Sequence, residues 1–257
     1  MSNLSSNDHL KKNNNMNRIL FLVVGLFSVM NVYSQSAEEI FNNGNTKIDN
    51  GDYKAAIEDF TKVIEILPYL AEAYYNRGSA KQELHDFKGA IDDYTKSIEL
   101  KPDFIEAYSN RSTVKGILGD SAGQISDLNK AVEINPGKPE LYYNLANIKA
   151  AMHDYANSIW DYNKAIELNP NYSQAYFNRG MTKIDTKEKG SAILDFNRAI
   201  EINPEFSEAY YNRGIARYEI GEQKDGCLDL KKAKELGDPL AQRAIELLCS
   251  KTNLSKN

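Results

Sequence analysis

The sequence predicts an all-α solenoid, an array of helix pairs laid side by side, and three observations predict it. The chain repeats every 34 residues, so that Pro68, Pro102, Pro136, Pro170 and Pro204 superpose on a shift of that length. Gly44, Gly78, Gly180 and Gly214 superpose as well, and Ser112 and Ala146 complete a column of small residues. Each copy also holds two stretches in which apolar residues recur with helical spacing. A fixed period of this size marks a unit that cannot bury its apolar face alone and stacks on copies of itself.

Taken in order, the chain opens with a polar, Asn-rich stretch over 1–15. Arg18 and the apolar run Ile19–Met30 follow, leaving through Val32 and Ser34. A basic start, a short apolar centre and a small-residue exit are the layout of a secretory signal. The expectation is a signal peptide over 1–34, with Met16 as an alternative start. The run is shorter than the ~20 residues a membrane span needs. No membrane span is therefore expected after cleavage, and the mature chain is expected in the periplasm or secreted; an uncleaved anchor or a buried helix is the competing reading.

Six copies follow, over 37–70, 71–104, 105–138, 139–172, 173–206 and 207–240. Ser36 and Glu39 form a capping box for the first helix. In copy two the pattern predicts helices over Ala71–Leu84 and Phe87–Leu100, with His85-Asp86 as the turn between them. The corresponding turns are Gly51-Asp52, Gly119-Asp120, His153-Asp154, Lys187-Glu188 and Gly221-Glu222. Glycine here suits a left-handed helix stop, and the proline of each copy ends its second helix. After copy six, Asp238-Pro239 supplies an N-cap and a first-turn proline for a capping helix over 240–249, with Leu240, Ala244, Leu247 and Leu248 as its apolar stripe. Residues 250–257 are polar and expected to be disordered.

Further columns describe the packing. Ala56, Ala90, Ser158, Ala192 and Gly226 form a second small column, broken by Gln124. Phe60, Tyr94, Leu128, Tyr162, Phe196 and Leu230 fill the gap between helices. Ser121 stands where Tyr53, Phe87 and Tyr155 supply a ring, which makes copy three the expected weak point of the array. Lys47, Lys81, Lys115, Lys149, Lys183 and Arg217 recur in register, as do Asp59, Asp93, Asp127, Asp161, Asp195 and Asp229. These form either a ladder of ion pairs between helices, with the Lys stems covering apolar surface, or two solvated faces.

These columns resemble the tetratricopeptide repeat family over 37–240. The resemblance implies antiparallel helix pairs in a right-handed superhelix, with a concave groove lined by the first helix of each pair. The family often carries an aromatic where this chain has its Lys/Arg column. The resemblance further implies binding of a protein or peptide. Asn42, Asn76, Asn110, Asn144, Asn178 and Asn212 recur on the first helix, at a place that faces the groove in this family. An amide offers donor and acceptor to a peptide backbone, and a similar ladder in O-linked N-acetylglucosamine transferases implies sequence-tolerant binding. The alternative is that each Asn satisfies a local backbone group or faces water. Phe41, Tyr75, Tyr143, Phe177 and Tyr211, one residue earlier and with Ser109 as the gap, either add contact surface or pack between helices. The chaperone-tail clamp of some family members needs Lys and Arg at outer positions where this chain has Glu38, Glu72, Glu106, Glu140 and Glu208. A neutral or basic ligand segment is expected instead.

Other chemistry finds little support. The formal net charge is −5. Setting aside residues 1–34, which hold Lys11, Lys12, Arg18 and Asp8, leaves 28 basic and 35 acidic residues, a net of −7. An acidic body disfavours nucleic acid. The histidines are His9, His85 and His153, the last two in turns, and no HExxH, GxSxG or phosphate-loop pattern occurs. No enzyme activity, cofactor or metal is expected. Cys227 and Cys249 lie on the last repeat helix and the capping helix; they form either a disulfide or two buried thiols. Trp160, Leu194 and Leu228 make an apolar strip on successive second helices. That strip is a candidate docking surface for a scaffold role in an envelope assembly, or is partly buried by its neighbours.

Overall fold

The computed structural model describes residues 36–249; the expected signal peptide over 1–34 and the tail over 250–257 lie outside the described residues. The protein is an all-α solenoid of helix pairs, and among the described residues there is no strand. It divides into two compact units, the first ending at Asp120 and the second starting at Ser121. The first unit holds α1 (36–49), α2 (Tyr53–Ile66), α3 (Ala71–Glu83), α4 (Phe87–Leu100) and α5 (Ile105–Ile117). The second holds α6 (Ser121–Ile134), α7 (Pro139–Ala151), α8 (Tyr155–Leu168), α9 (Ser173–Asp185), α10 (Lys189–Ile202), α11 (Ser207–Glu219), α12 (Gln223–Glu235), α13 (Ala241–Ala244) and a π turn, Ile245–Cys249. The boundary falls inside copy three, the copy whose packing columns are interrupted.

Each turn within a pair is built the same way. The last residue before the second helix donates its N–H back to the carbonyl of the basic-column residue, as Asp86 does to Lys81 at 2.9 Å and Glu188 to Lys183 at 2.8 Å. This six-residue closure needs one residue in the left-handed region. Gly51, Gly119 and Gly221 meet that need freely, at φ of 76°, 81° and 98°, but His85, His153 and Lys187 adopt it too, at 61°, 62° and 66°. Asp52 and Asp86 then cap the second helix, accepting from the N–H of Ala55 and Gly89.

The columns meet as the period requires. Phe60, Tyr94, Leu128, Tyr162, Phe196 and Leu230 are all buried, as are Ala56, Ala90, Ser158, Ala192 and Gly226. The helix backbones come close at Gly214 and Gly226. A Cβ on either would meet the other's carbonyl oxygen, at 2.9 and 2.7 Å, so neither position accepts a side chain.

The C-terminal cap differs from the expected stripe. Asp238 accepts from Leu240 N–H and Ala241 N–H, both at 2.9 Å, so the helix opens at Ala241. Ala241 and Ala244 are buried, whereas Leu240 and Leu247 are each 57% exposed. Leu240 stands before the first turn, and π winding beyond Ala244 rotates Leu247 off the face that 3.6-residue spacing assigns to it. A disulfide joins Cys227 on α12 to Cys249, with Cα atoms 5.7 Å apart.

Candidate functional site: an amide face on an ion-pair frame

Within each unit, buried carboxylates fix the first helix of a pair against the second. Asp93 accepts a two-pronged contact from Arg77, at 2.9 Å from Nε and 2.7 Å from Nη2, and a further one from Lys81 at 2.7 Å. Asp195 is held likewise by Arg179 and Lys183, and Asp229 by Arg213 and Arg217. Of the two readings of the Lys/Arg and Asp columns, the ion-pair ladder is the one these contacts bear out. Lys47–Asp59 and Lys149–Asp161 complete them within the two units.

The second cation, the arginine fork, was missed by sequence reasoning, although Arg77, Arg179 and Arg213 share the 34-residue period. Each arginine also reaches the second helix of the preceding copy: Arg77 donates to Thr61 at 3.1 Å and Arg213 to Asn197 at 2.8 Å. One side chain thus ties three helices. Copy four has Leu145 in place of the arginine. Asp161 is left with Lys149 as its cation, and burial pushes its carboxyl above the ordinary value.

On this frame the asparagine column is pinned from one copy to the next. Asn76 donates to Asn45 Oδ1 at 2.8 Å, and Asn110 to the Tyr75 hydroxyl at 3.1 Å. Asn178 donates to the Tyr143 hydroxyl at 3.0 Å and to Asn147 Oδ1 at 2.9 Å. Asn212 donates to the Glu208 carbonyl of its own helix, while Asn42 and Asn144 are exposed. Asn45 and Asn147 were not singled out in the sequence, because they lie off the six-fold column.

The rings one residue earlier pack between helices. Tyr75 lies 4.8 Å from Phe104, Tyr143 4.9 Å from Tyr172, and Phe177 4.8 Å from Phe206, each centroid to centroid. Tyr211 is half-buried. The Tyr143 and Tyr75 hydroxyls remain as the acceptors that position Asn178 and Asn110.

Between α7 and α9 these groups border a cleft of about 290 Å³. Tyr162 and the two amides, Asn147 and Asn178, line it together with Ala150, Met181 and Asp185. The Tyr162 hydroxyl donates to Asn147 Oδ1 at 2.5 Å, and burial raises its pKa, so it stays protonated. Both N–H groups of Asn178 are engaged, which fixes the amide plane and leaves Oδ1 as an oriented acceptor.

On the second-helix face of the second unit, Trp160, Leu194 and Leu228 are 55%, 67% and 54% exposed. Lys164–Glu167, Arg198–Glu201 and Lys232–Glu235 pairs run beside them. Among the described residues no group of three or more His, Cys, Asp or Glu is arranged to hold a metal ion, and no helix is long and apolar enough to cross a membrane.

Helix pairs of one period, locked by ion pairs and carrying a patterned polar face, define a repeat protein of the recognition class. The chain belongs to the tetratricopeptide repeat family. Profiles described as tetratricopeptide repeat match residues 71–104, 139–172 and 161–193, and one described as TPR repeat matches 44–85 and 190–221; together they span more than half the chain. No curated protein sequence matches significantly.

Among solved structures, the chain is similar to MamA at 28% identity, with 64% of this chain and 96% of that one covered and a TM-score of 0.59. It is similar to YrrB, described as a TPR protein with an unusual peptide-binding site, at 23% identity, 73% and 97% coverage and a TM-score of 0.61. It is also similar to the C-terminal part of a TPR repeat-containing protein from Cytophaga hutchinsonii, at 17% identity, 80% and 82% coverage and a TM-score of 0.69. At such identities the last two speak for the fold alone.

Proposed function

We propose that this protein is a non-catalytic, exported binding module, periplasmic or secreted, that recognises an extended protein or peptide segment on its first-helix face. The observation that carries this reading is the α7–α9 cleft, where the Asn178 amide is held with its carbonyl oxygen free. A peptide backbone needs such acceptors along its length. Asn144 extends the polar row as an exposed amide. Met181 supplies an apolar wall, and the Asp185 carboxylate at the cleft favours a neutral or basic segment over an acidic one. The rings of Tyr143 and Phe177 serve as the floor beneath the amides of the second unit, and Tyr75 serves those of the first.

A second reading has its own observation. Three large apolar side chains exposed on successive second helices, Trp160, Leu194 and Leu228, suit a scaffold that docks in an envelope assembly.

The full chain, immobilised and exposed to envelope extract, separates the two readings by mass spectrometry of what is retained. Under the first, the double substitution Asn144→Ala and Asn178→Ala abolishes retention and Trp160→Glu leaves it intact. The reverse pattern assigns retention to the strip. Fractionation with N-terminal sequencing of the exported form tests export.

A further inference from the structure

The first unit contains a second cleft, of about 240 Å³, lined by Ala37, Glu38, Phe41, Leu67, Leu70 and Glu72. Copy two shows what the same place holds when it is filled. In copy two the equivalents of Leu67 and Leu70 are Lys101 and Phe104. Phe104 stacks on Tyr75, the equivalent of Phe41, at 4.8 Å. Lys101 lies 4.7 Å above the Phe104 ring and pairs with Glu72, the equivalent of Glu38, at 2.9 Å. The Lys101 ammonium holds the Glu72 carboxyl below its ordinary value. Copies four and five keep a ring at the same place, Tyr172 and Phe206, stacked on Tyr143 and Phe177. The cation is copy two's alone, since Asn135, Asn169 and Asn203 stand there in copies three to five, and copy three has Lys138 in place of the ring; copy one, with leucine at both positions, lacks the ring of copies two, four and five and the cation of copy two. What remains is an apolar notch with Phe41 on its wall and the exposed carboxylate of Glu38 at its mouth.

We infer that this notch is a binding site for a partner segment that presents a basic residue three positions before an aromatic one, the pair that Lys101 and Phe104 supply from within the chain one copy later. The aromatic side chain stacks on Phe41 and fills the volume left beside Leu70. The cation sits at the mouth against Glu38, with the Glu72 carboxylate nearby and already shared with Lys101. Two carboxylates at the rim of an apolar pocket exclude acidic segments and orient the ligand, while the ring supplies most of the attraction. The site lies in the first unit, apart from the α7–α9 cleft, and does not depend on the asparagine face.

The test uses the full chain and a labelled, acetylated and amidated hexapeptide, GKPSFG, with GAPSFG and GKPSAG as comparisons. Saturable binding of GKPSFG, weakened roughly tenfold or more by loss of the ring and less by loss of the lysine, is the expected result. The protein variant L67K/L70F, which rebuilds the copy-two arrangement, is expected to lose binding while melting at or above the wild-type temperature. Glu38→Gln is expected to weaken GKPSFG and leave GAPSFG unchanged, and this arm decides the matter should L67K/L70F fail to fold. No saturable binding, equal binding of the three peptides, or undiminished GKPSFG binding by a folded L67K/L70F or by Glu38→Gln overturns the inference. Asn144→Ala with Asn178→Ala leaves this binding unchanged, so its outcome is separable from that of the asparagine face.

Discussion

Asp161 and Asp195 occupy the same place in successive copies, yet their surroundings differ by one residue. Asp195 has a guanidinium fork and a lysine; Asp161 has a lysine alone, because Leu145 stands where the fork begins. Asp195→Asn strands two cations in a mostly buried place and is expected to cost about 3 kcal/mol in urea unfolding. Asp161→Asn strands one, and removes a carboxylate that burial already disfavours, so about 1 kcal/mol is expected. The pH dependence follows in sign. The folded pKa of Asp161 is raised, so the stability intact below the unfolded carboxylate value is lost as pH rises through the folded one. The Asp161→Asn variant should therefore gain on the wild type as pH rises through that window, in parallel denaturation curves.

At the scale of the element, the turns carry the strain. Lys187 holds a left-handed backbone with φ of 66°. His153 in the same place at least offers Nδ1 to the Tyr155 hydroxyl at 2.8 Å. Lys187→Gly is expected to stabilise the protein by about 1 kcal/mol in thermal unfolding.

The helices themselves were legible in the sequence, since a period shared by prolines, glycines and rings fixes where each begins, ends and faces; Phe87–Leu100 ends where the pattern says. Contacts that need two helix faces at once were less so. The arginine fork reaches forward to its own copy's aspartate and back to the previous copy, and neither partner lies at a helical spacing. The face of Tyr75 was ambiguous for the same reason, because its stacking partner, Phe104, sits in the link beyond the next helix. The C-terminal stripe failed because sequence patterns assume α winding, and Ile245–Cys249 forms a π turn.

At the scale of the whole molecule, the boundary between the two units falls where copy three lacks a ring at Ser121 and a small residue at Gln124. Hydrogen exchange is expected to be fastest, within the repeats, around residues 119–124, and to slow toward α3–α4 and α11–α12. What the array binds is less legible than how it folds, because the repeat governs packing, whereas the proposed notch rests on departures from it, Leu67 and Leu70.

The repeated bonds also bear on how such a chain changes length. Excise residues 173–206 and Tyr172 is followed by Ser207, a serine as before. Asn212 then inherits the Tyr143 and Asn147 partners of Asn178, and Arg213 inherits Asn163 from Arg179. The splice leaves these bonds an equivalent mate; the Lys189–Glu219 pair is lost, because Tyr155 comes to stand where Lys189 did. Duplication or loss of a whole period is thus a conservative event for this chain, whereas an insertion of any other length forfeits every register at once.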